Sequence, residues 1–320
     1  MTVDTGRIED MPSTITDAFE AVGLDPEAVD RIVTMALSED LGGPTGVDVT
    51  SVATIPSDQM DVADIIARAD GVVAGLAVAA AVFTRVDPRT QVEVVVGDGT
   101  RVADGDVLMT VSGPTRSLLT AERTAINLLS RMSGVATHTR RWADELAGTG
   151  ATVLDTRKTT PGLRMLEKYA VRAGGGTNKR MGLYDVAMIK DNHKLAAGSI
   201  TEAFHRVRKT FPDVTVQVEV ETVDEALEAV DAGADFLLCD NMTPERLRDV
   251  VAAVGGRAEL EATGGLTLDR ARVYGETGVN YVSVGGLTHS SPILDIAMDL
   301  RPRSTNLKSS NGSDRRGSTR

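Results

Sequence analysis

The chain has 320 residues, enough for two domains or for one large α/β barrel with an addition. Hydrophobic residues make up 42% of it and the net charge is −12, an ordinary globular composition. The negative field argues against a general nucleic-acid or anionic-membrane binder. No run of about 18 apolar residues occurs, so no membrane-spanning helix is expected. The N-terminus lacks a basic start followed by an apolar core, so no secretory signal is expected. One cysteine, Cys239, leaves no intrachain disulfide to form, and a reducing cytoplasm is the expected compartment.

In chain order, residues 1–13 and the basic, polar tail 303–320 read as disordered. Residues 14–125 mix helix and strand and predict an α/β sandwich, which residues 290–302 would complete. Within it, 15–22 and 28–37 have helical spacing, while VADIIARADGVVAG, QVEVVVGDGT and DVLMTVSG are strands with Gly turns between them. The stretch DGTRVADGDVLMTVSG looks like a carrier-domain hairpin, but it has no lysine at its tip to carry a group. Residues 117–147 are helical, with Ala121, Ala125, Leu128, Leu129 and Met132 on one face and Arg123, Asn127 and Arg131 forming a polar stripe.

From residue 151 strands and helices alternate. ATVLDTRK, VAMIKDN, VTVQVEVE, DFLLCDN, AELEAT and VNYVSVGG are strands, and five helical segments separate them. Ser199 with Glu202 and Thr222 with Glu225 have capping-box spacing, and Pro244 follows Thr243 at a helix start. Gly233 and Gly278 sit just beyond helix ends. Serial strand–helix units imply a parallel sheet with right-handed crossovers. The expected fold class is therefore α/β, with residues 126–289 forming an open parallel barrel of six or seven strands.

Chemistry in such barrels collects at the C-terminal ends of the strands. Here every strand ends in ionisable residues or paired glycines: Arg157 and Lys158; Lys190, Asp191 and Asn192; Glu219 and Glu221; Asp240 and Asn241; Glu261, Thr263, Gly264 and Gly265; Gly285 and Gly286. The valines of 214–221 alternate with Thr215, Gln217, Glu219 and Glu221, which puts Glu219 inside the barrel mouth with Gln217 below it. Glu219 and Asp240 suit a hard cation such as Mg2+, which takes one or two carboxylates plus substrate oxygens. The two Gly-Gly pairs suit a phosphate, because glycine lets backbone N–H groups approach closely. From Asp155 to Asp191 there are eight Lys/Arg against four Asp/Glu, so a locally basic segment faces this rim in an acidic protein. A phosphorylated, multiply anionic small molecule is the expected ligand. Cys239 reads as a small buried hydrophobe, Trp142 and His205 as packing or surface residues, and no His/Cys spacing suggests zinc.

The segments ERTAINLLSRMSGVAT, DTRKTTPGLRMLEKYAVRAGGG, NKRMGLYDVAMIKDNH, VEVET, CDNM, EATGG and VSVGGLTHS resemble the quinolinate phosphoribosyltransferases, in the right order over residues 28–298. The resemblance implies a sandwich joined to an open barrel. It also implies a homodimer in which one subunit's sandwich closes the other's barrel, with no nucleic-acid or membrane partner. The substrates would be quinolinate and phosphoribosyl pyrophosphate with Mg2+. The products would be nicotinate mononucleotide, pyrophosphate and carbon dioxide. By resemblance, Arg123 comes from the partner subunit, and Arg157 and Arg180 hold the two carboxylates, with Arg164, Lys179, Glu261 and Thr263 among the substrate-binding residues. Lys158 and Lys190 lie near pyrophosphate and the reacting carboxylate. Glu219 and Asp240 serve the ribose and Mg2+, and Gly264, Gly265, Gly285 and Gly286 cradle the 5′-phosphate. The family usually reads Asn-His-Arg where this chain has Asn178, Lys179 and Arg180. That departure leaves open a paralogue with a different acceptor, a nicotinate-specific transferase, or an inactive polyanion-binding homologue.

Overall fold

The computed structural model describes residues 13–43 and 46–302. The disorder expected at the two ends falls outside them, except at Ser13, which opens helix α1 (Ser13–Ala21). In α2 (Pro26–Leu41) the Asp25 carboxylate accepts from the Glu27 N–H, and Val29, Ile32, Val33 and Leu37 form the inward stripe. A short α3 (Val49–Thr54), capped by Asp48, leads into β1 (Met60–Ala67) and β2 (Gly71–Val72). Next comes α4 (Leu76–Val86), which sequence spacing does not predict. Its LAVAAAVF run is apolar on every side, so it carries no helical period, and the structure buries all of it except the half-buried Ala77. Strands β3 (Gln91–Val94), β4 (Arg101–Val102) and β5 (Val107–Pro114) follow, then the long α5 (Thr115–Leu146).

The second half alternates as expected. It runs β6 (Thr152–Leu154), α6 (Arg164–Ala173), β7 (Val186–Ile189), α7 (Asp191–Ala197), α8 (Ile200–Thr210), β8 (Thr215–Val220), α9 (Val223–Asp231), β9 (Phe236–Asp240), α10 (Pro244–Val254), β10 (Glu259–Thr263), α11 (Ala271–Gly275), β11 (Tyr281–Ser283), α12 (Gly286–His289) and β12 (Ile296–Leu300). Two helices depart from expectation. The segment read as one helix before β11 is a 3₁₀ turn over Leu268–Arg270 followed by a single turn of α11. The extra helix α7 starts directly at the end of β7, where the His193 Nδ1 accepts from the Lys190 N–H. The Ser199 and Thr222 hydroxyls cap α8 and α9 by accepting the N–H of Glu202 and Glu225. The return half of a capping box is missing at α9, because the Glu225 carboxylate accepts from the Glu221 N–H instead.

Two sheets organise the chain. The first is antiparallel, in the order β12-β1-β5-β3, and pairs Ala63 with both Val111 and Leu300. The last strand thus returns from the barrel to border the first sheet. The second sheet is parallel, in the order β6-β11-β10-β9-β8-β7. This is chain order closed through β6 and β11, so the barrel stays open between β6 and β7, and Leu154 at the end of β6 bridges instead to Thr177 in the segment after α6. The opening has a packing cause. Leu166, Tyr169, Ala170 and Val171 of α6 join the sandwich core beside α5 rather than the barrel core, so no helix draws β7 onto β6. α5 belongs to both cores: residues from Leu118 to Ala136 sit in the first, and Trp142 and Leu146 in the second. A single helix therefore runs through position 125.

Strand β8 shows how sequence sets the site. Val216, Val218 and Val220 are fully buried in the barrel core, and each contributes about 1.5–3 kcal/mol by burial. That pins the register and turns Gln217 and Glu219 to the inside. Cys239 on β9 is also fully buried, and burial pushes its thiol up to about 12. At pH 8 a thiolate fraction of about 10⁻⁴ is expected. A thiol-exchange reagent should leave the native protein unlabelled and label one site after unfolding in guanidinium. Rapid labelling of the native protein would show that β9 opens.

Candidate active site

One cavity of about 1010 Å3 occupies the barrel mouth. Its wall brings together Arg157, Lys158, Lys179, Arg180, Lys190, Glu219, Asp240, Thr263, Gly264, Gly265, Gly285 and Gly286. These come from the ends of all six parallel strands, the loops that follow them, and the segment between α6 and β7, which holds Lys179 and Arg180. Three residues expected at the site do not line it. Arg123 is exposed on α5, away from its own cavity. Arg164 turns into the wall, where its Nε donates to the Thr159 Oγ1 at 2.9 Å and its Nη1 to the Met181 carbonyl at 2.9 Å. Glu261 is fully buried behind the wall and holds Lys179 at 2.6 Å. Its strand-end position made it resemble a ligand residue, but its Oε1 accepts from Lys179 and its buried Oε2 has no hydrogen-bond partner among the described residues.

The cations differ in how they are held. Lys190 sits at the start of α7 and donates to the Glu219 Oε2 at 2.5 Å. Arg157, Lys158 and Arg180 form no ion pair among the described residues, and the buried Arg157 Nε has no hydrogen-bond partner. Burial, and then the neighbouring Arg157 charge, pull the Arg180 guanidinium below its ordinary value. Two guanidinium forks on one wall, neither of them in an ion pair, form a receptor for a doubly anionic, planar group. Across the mouth, burial and then the Glu219 charge raise the Asp240 carboxyl above the usual range. A cation between those carboxylates would relieve that repulsion.

The glycine loops complete the wall. Gly264 has φ +93°, and a Cβ there would come within 2.3 Å of the Asn241 Oδ1 and 2.8 Å of the Asn241 N. Lys158 lies across Gly285, where a Cβ would come within 2.9 Å of its Cδ. Glycine therefore keeps the lysine and the last loop in contact. The Thr288 Oγ1 donates to the Lys158 carbonyl at 2.7 Å, and Arg131 bridges the buried Glu167 and the Ser291 carbonyl. Arg131, read as part of a polar stripe, is thus a brace between α5, α6 and the segment after α12.

Sequence reasoning missed several wall residues. Trp142, taken as a packing or surface residue, also faces the cavity, as do His138 and His289, together with Thr156, Thr267 and Ser283. The Trp142 Nε1 donates to the His138 Nε2 at 3.2 Å, so the proton lies on Nδ1 and points to the Ser291 Oγ at 2.8 Å. Burial, and then the Arg141 charge, lower the His138 imidazole and keep it neutral. The i,i+4 spacing of His138 and Trp142 was the available signal.

Comparison with known proteins agrees with this architecture. The family model for the quinolinate phosphoribosyl transferase N-terminal domain matches residues 48–133, and that for the C-terminal domain matches 135–299. The chain is 43% identical to the nicotinate-nucleotide pyrophosphorylase [carboxylating] of Mycobacterium leprae over 279 residues, covering 86% of this chain and 98% of that protein. It is 45% identical to the probable nicotinate-nucleotide pyrophosphorylase [carboxylating] of Bacillus subtilis over 263 residues, covering 82% of this chain and 90% of that one. The crystal structure of NadC from Streptococcus pyogenes superposes with a TM-score of 0.83 at 38% identity, covering 87% of this chain and 98% of that one. No described helix is long and apolar enough to cross a membrane. On these matches, which span both sheets and the barrel cavity, the chain belongs to the quinolinate phosphoribosyltransferase family.

Proposed function

We propose that the cavity transfers the phosphoribosyl group of phosphoribosyl pyrophosphate to the ring nitrogen of quinolinate, yielding nicotinate mononucleotide, pyrophosphate and carbon dioxide for NAD biosynthesis. The observation that carries this reading is the unpaired Arg157–Arg180 couple facing the Glu219–Asp240 carboxylates across one mouth. The guanidinium pair would take the two ring carboxylates. The glycine loops after β10 and β11 would take the 5′-phosphate through backbone N–H groups. The pyridine nitrogen would then attack the anomeric carbon as the bond to pyrophosphate breaks, with Lys158 beside the leaving group. Glu219 and Asp240 would stabilise positive charge developing on the ribose. Decarboxylation follows at the carbon next to the now-cationic nitrogen, whose positive charge stabilises the electron pair left on that carbon until a proton from solvent is added there. Lys190 and Arg157 would guide the departing carboxylate. Bringing two polyanions together is itself a large part of the task, and the cluster of cations performs it.

Mg2+ belongs to this proposal. No group of three or more acidic, His or Cys side chains among the described residues could hold an ion alone. Two carboxylates facing a phosphate loop fit a hard cation that shares substrate oxygens. Bound there, it would neutralise pyrophosphate charge as the leaving group departs. A homodimer is also proposed. Arg123 stands exposed outside its own cavity, and Leu183, Tyr184 and Leu195 expose apolar surface on the loop before β7 and on α7. Mixing inactive Arg123→Ala and Lys190→Ala subunits should restore activity if the partner supplies Arg123. A cytoplasmic location completes the reading, and cell fractionation tests it.

The deciding experiment supplies quinolinate, phosphoribosyl pyrophosphate and Mg2+ and follows nicotinate mononucleotide and released carbon dioxide together. Equimolar appearance of both supports the proposal, and chelation of the metal should stop both. Turnover of nicotinate without gas release, or ligand binding without product, would overturn it. Gly264→Ala forces a side chain into a left-handed backbone against Asn241, which should cost about 1–3 kcal/mol of stability. It should also raise KM for phosphoribosyl pyrophosphate more than for quinolinate. Equal effects on both substrates would remove the loop from phosphate binding.

A further inference from the structure

Lys179 is buried deeper than the other cavity cations, and its surroundings explain its orientation. Its N–H donates to the Asp155 Oδ1 at 2.8 Å, and its carbonyl accepts from the Lys168 Nζ at 3.0 Å. Asp155 and Lys168 are themselves fully buried and joined at 2.5 Å. The preceding Asn178 donates to the Asp155 Oδ2 at 2.7 Å and to the Lys168 carbonyl at 2.8 Å. Both backbone polar groups of Lys179 are thus clamped, which leaves its side chain one direction, inward. There the Nζ lies 2.6 Å from each oxygen of Glu261 on β10. The Lys179 side chain is 6% exposed and lines the cavity, whereas that of Glu261 is 0% exposed and does not.

The charges around Lys179 make Glu261 necessary. Arg180 adjoins it in the chain and Lys190 faces it from the start of α7, and both repel its charge. Burial works in the same direction, and Glu261 alone opposes them. The Cys239 thiol on β9, which feels the Glu261 charge, is neutral. An ammonium here without its carboxylate would shed its proton, because desolvation and two like charges all favour the neutral amine. With the carboxylate, an ammonium has three N–H donors and keeps at least one for the cavity.

We propose that Glu261 is a positioning residue for the pyridine dicarboxylate. It keeps Lys179 protonated and aimed, so that Lys179 donates to a substrate carboxylate as a third cation beside Arg157 and Arg180. This rests on the function proposed above. It assigns Glu261 a role through Lys179, not a contact of its own. It also accounts for a lysine where the family usually has histidine, since a lysine remains a donor in this site only with an acid behind it.

The test uses the full chain with Glu261→Gln, which keeps the shape and removes the charge. KM for quinolinate should rise about tenfold or more at pH 8, the loss of one charge-assisted hydrogen bond. KM for phosphoribosyl pyrophosphate should stay within about twofold. Removing the anion lowers the ammonium's pKa, so the alkaline limb of kcat/KM for quinolinate should move to lower pH. A carboxylate that only stabilised the fold would lower the active fraction without moving that limb. Should Glu261→Gln fail to fold, Lys179→His with Glu261 in place carries the test. Its quinolinate affinity should stay within about threefold of wild type at pH 6.5 and collapse by pH 8.5, as the imidazole loses its proton. An unmoved alkaline limb in Glu261→Gln, or a wild-type pH profile in Lys179→His, overturns the proposal. Wild-type protein that converts no quinolinate sinks the underlying function first, and this proposal with it, before any variant is made.

Discussion

Arg157→Ala should lower kcat/KM for quinolinate by about 30- to 5,000-fold. Removing one partner of a buried, hydrogen-bonded charge pair costs about 2–5 kcal/mol. The upper part of that range is expected, because Arg157 and Arg180 line one wall, neither in an ion pair among the described residues, and share the work of holding two carboxylates. The fold should survive. Arg157 has no ion partner to strand, and its carbonyl, not its side chain, faces Arg164. Removing it even relieves like-charge repulsion on Arg180, so the melting temperature should hold or rise slightly. Arg157→Lys should recover only part of the loss, since an ammonium cannot present the fork that matches a planar carboxylate. Turnover close to wild type in Arg157→Ala would refute its assignment to the substrate, whatever its place in the wall. A parallel loss of melting temperature and activity would point instead to a structural arginine.

Much of the barrel could be read from sequence because its signals are local. Each strand–helix unit carries its own caps, and the valine alternation of 215–220 sets which side chains point inward. Glu219 therefore reached the cavity as expected, and the same argument placed Lys190, Asp240 and the glycine pairs. Elements whose character depends on surroundings were harder. Helix α4 is apolar on all faces, so its period vanished, and α7 is too short to show one. The open seam between β6 and β7 follows from α6 choosing the sandwich core, a tertiary preference that no local pattern encodes.

The site shows the same division. Strand-end position identifies candidates but cannot tell a residue that faces the cavity from one spent on a neighbour. Glu261 and Lys179 lie 82 residues apart, and only the fold pairs them. Arg164 carries the same charge as Arg157 and Arg180 and resembles them in sequence, yet it is used up bracing Thr159 and Met181. Trp142 follows the apolar stripe of α5 and belongs to the barrel core. Its indole edge nevertheless reaches the cavity through His138, a double use that periodicity cannot express.

The second large effect concerns Lys168. It is fully buried with Asp155, and the pair sits at the hinge of the site rather than in it. Burial raises the Asp155 carboxyl and lowers the Lys168 ammonium, and each charge opposes the change in the other. Such a pair adds little net stability over a well-packed apolar substitute, but stripping one partner leaves a buried charge without compensation. Lys168→Met should therefore cost about 3–5 kcal/mol. At about 2–4 °C per kcal/mol, the apparent melting temperature should fall by about 6–20 °C. Lys168→Met/Asp155→Leu should regain part of that loss by removing the stranded carboxylate. Recovery will be incomplete, because Asp155 also accepts from the Lys179 N–H and the Asn178 amide. The same double variant should bind quinolinate more weakly, since the segment that aims Lys179 and Arg180 loses its anchor. Thermal unfolding of these two variants and of Asp155→Leu gives the coupling directly. A Lys168→Met protein within about 0.5 kcal/mol of wild type, the range of an ordinary surface substitution, would mean that Asp155 is protonated in the native state. The clamp on Lys179 would then work by hydrogen bonds alone.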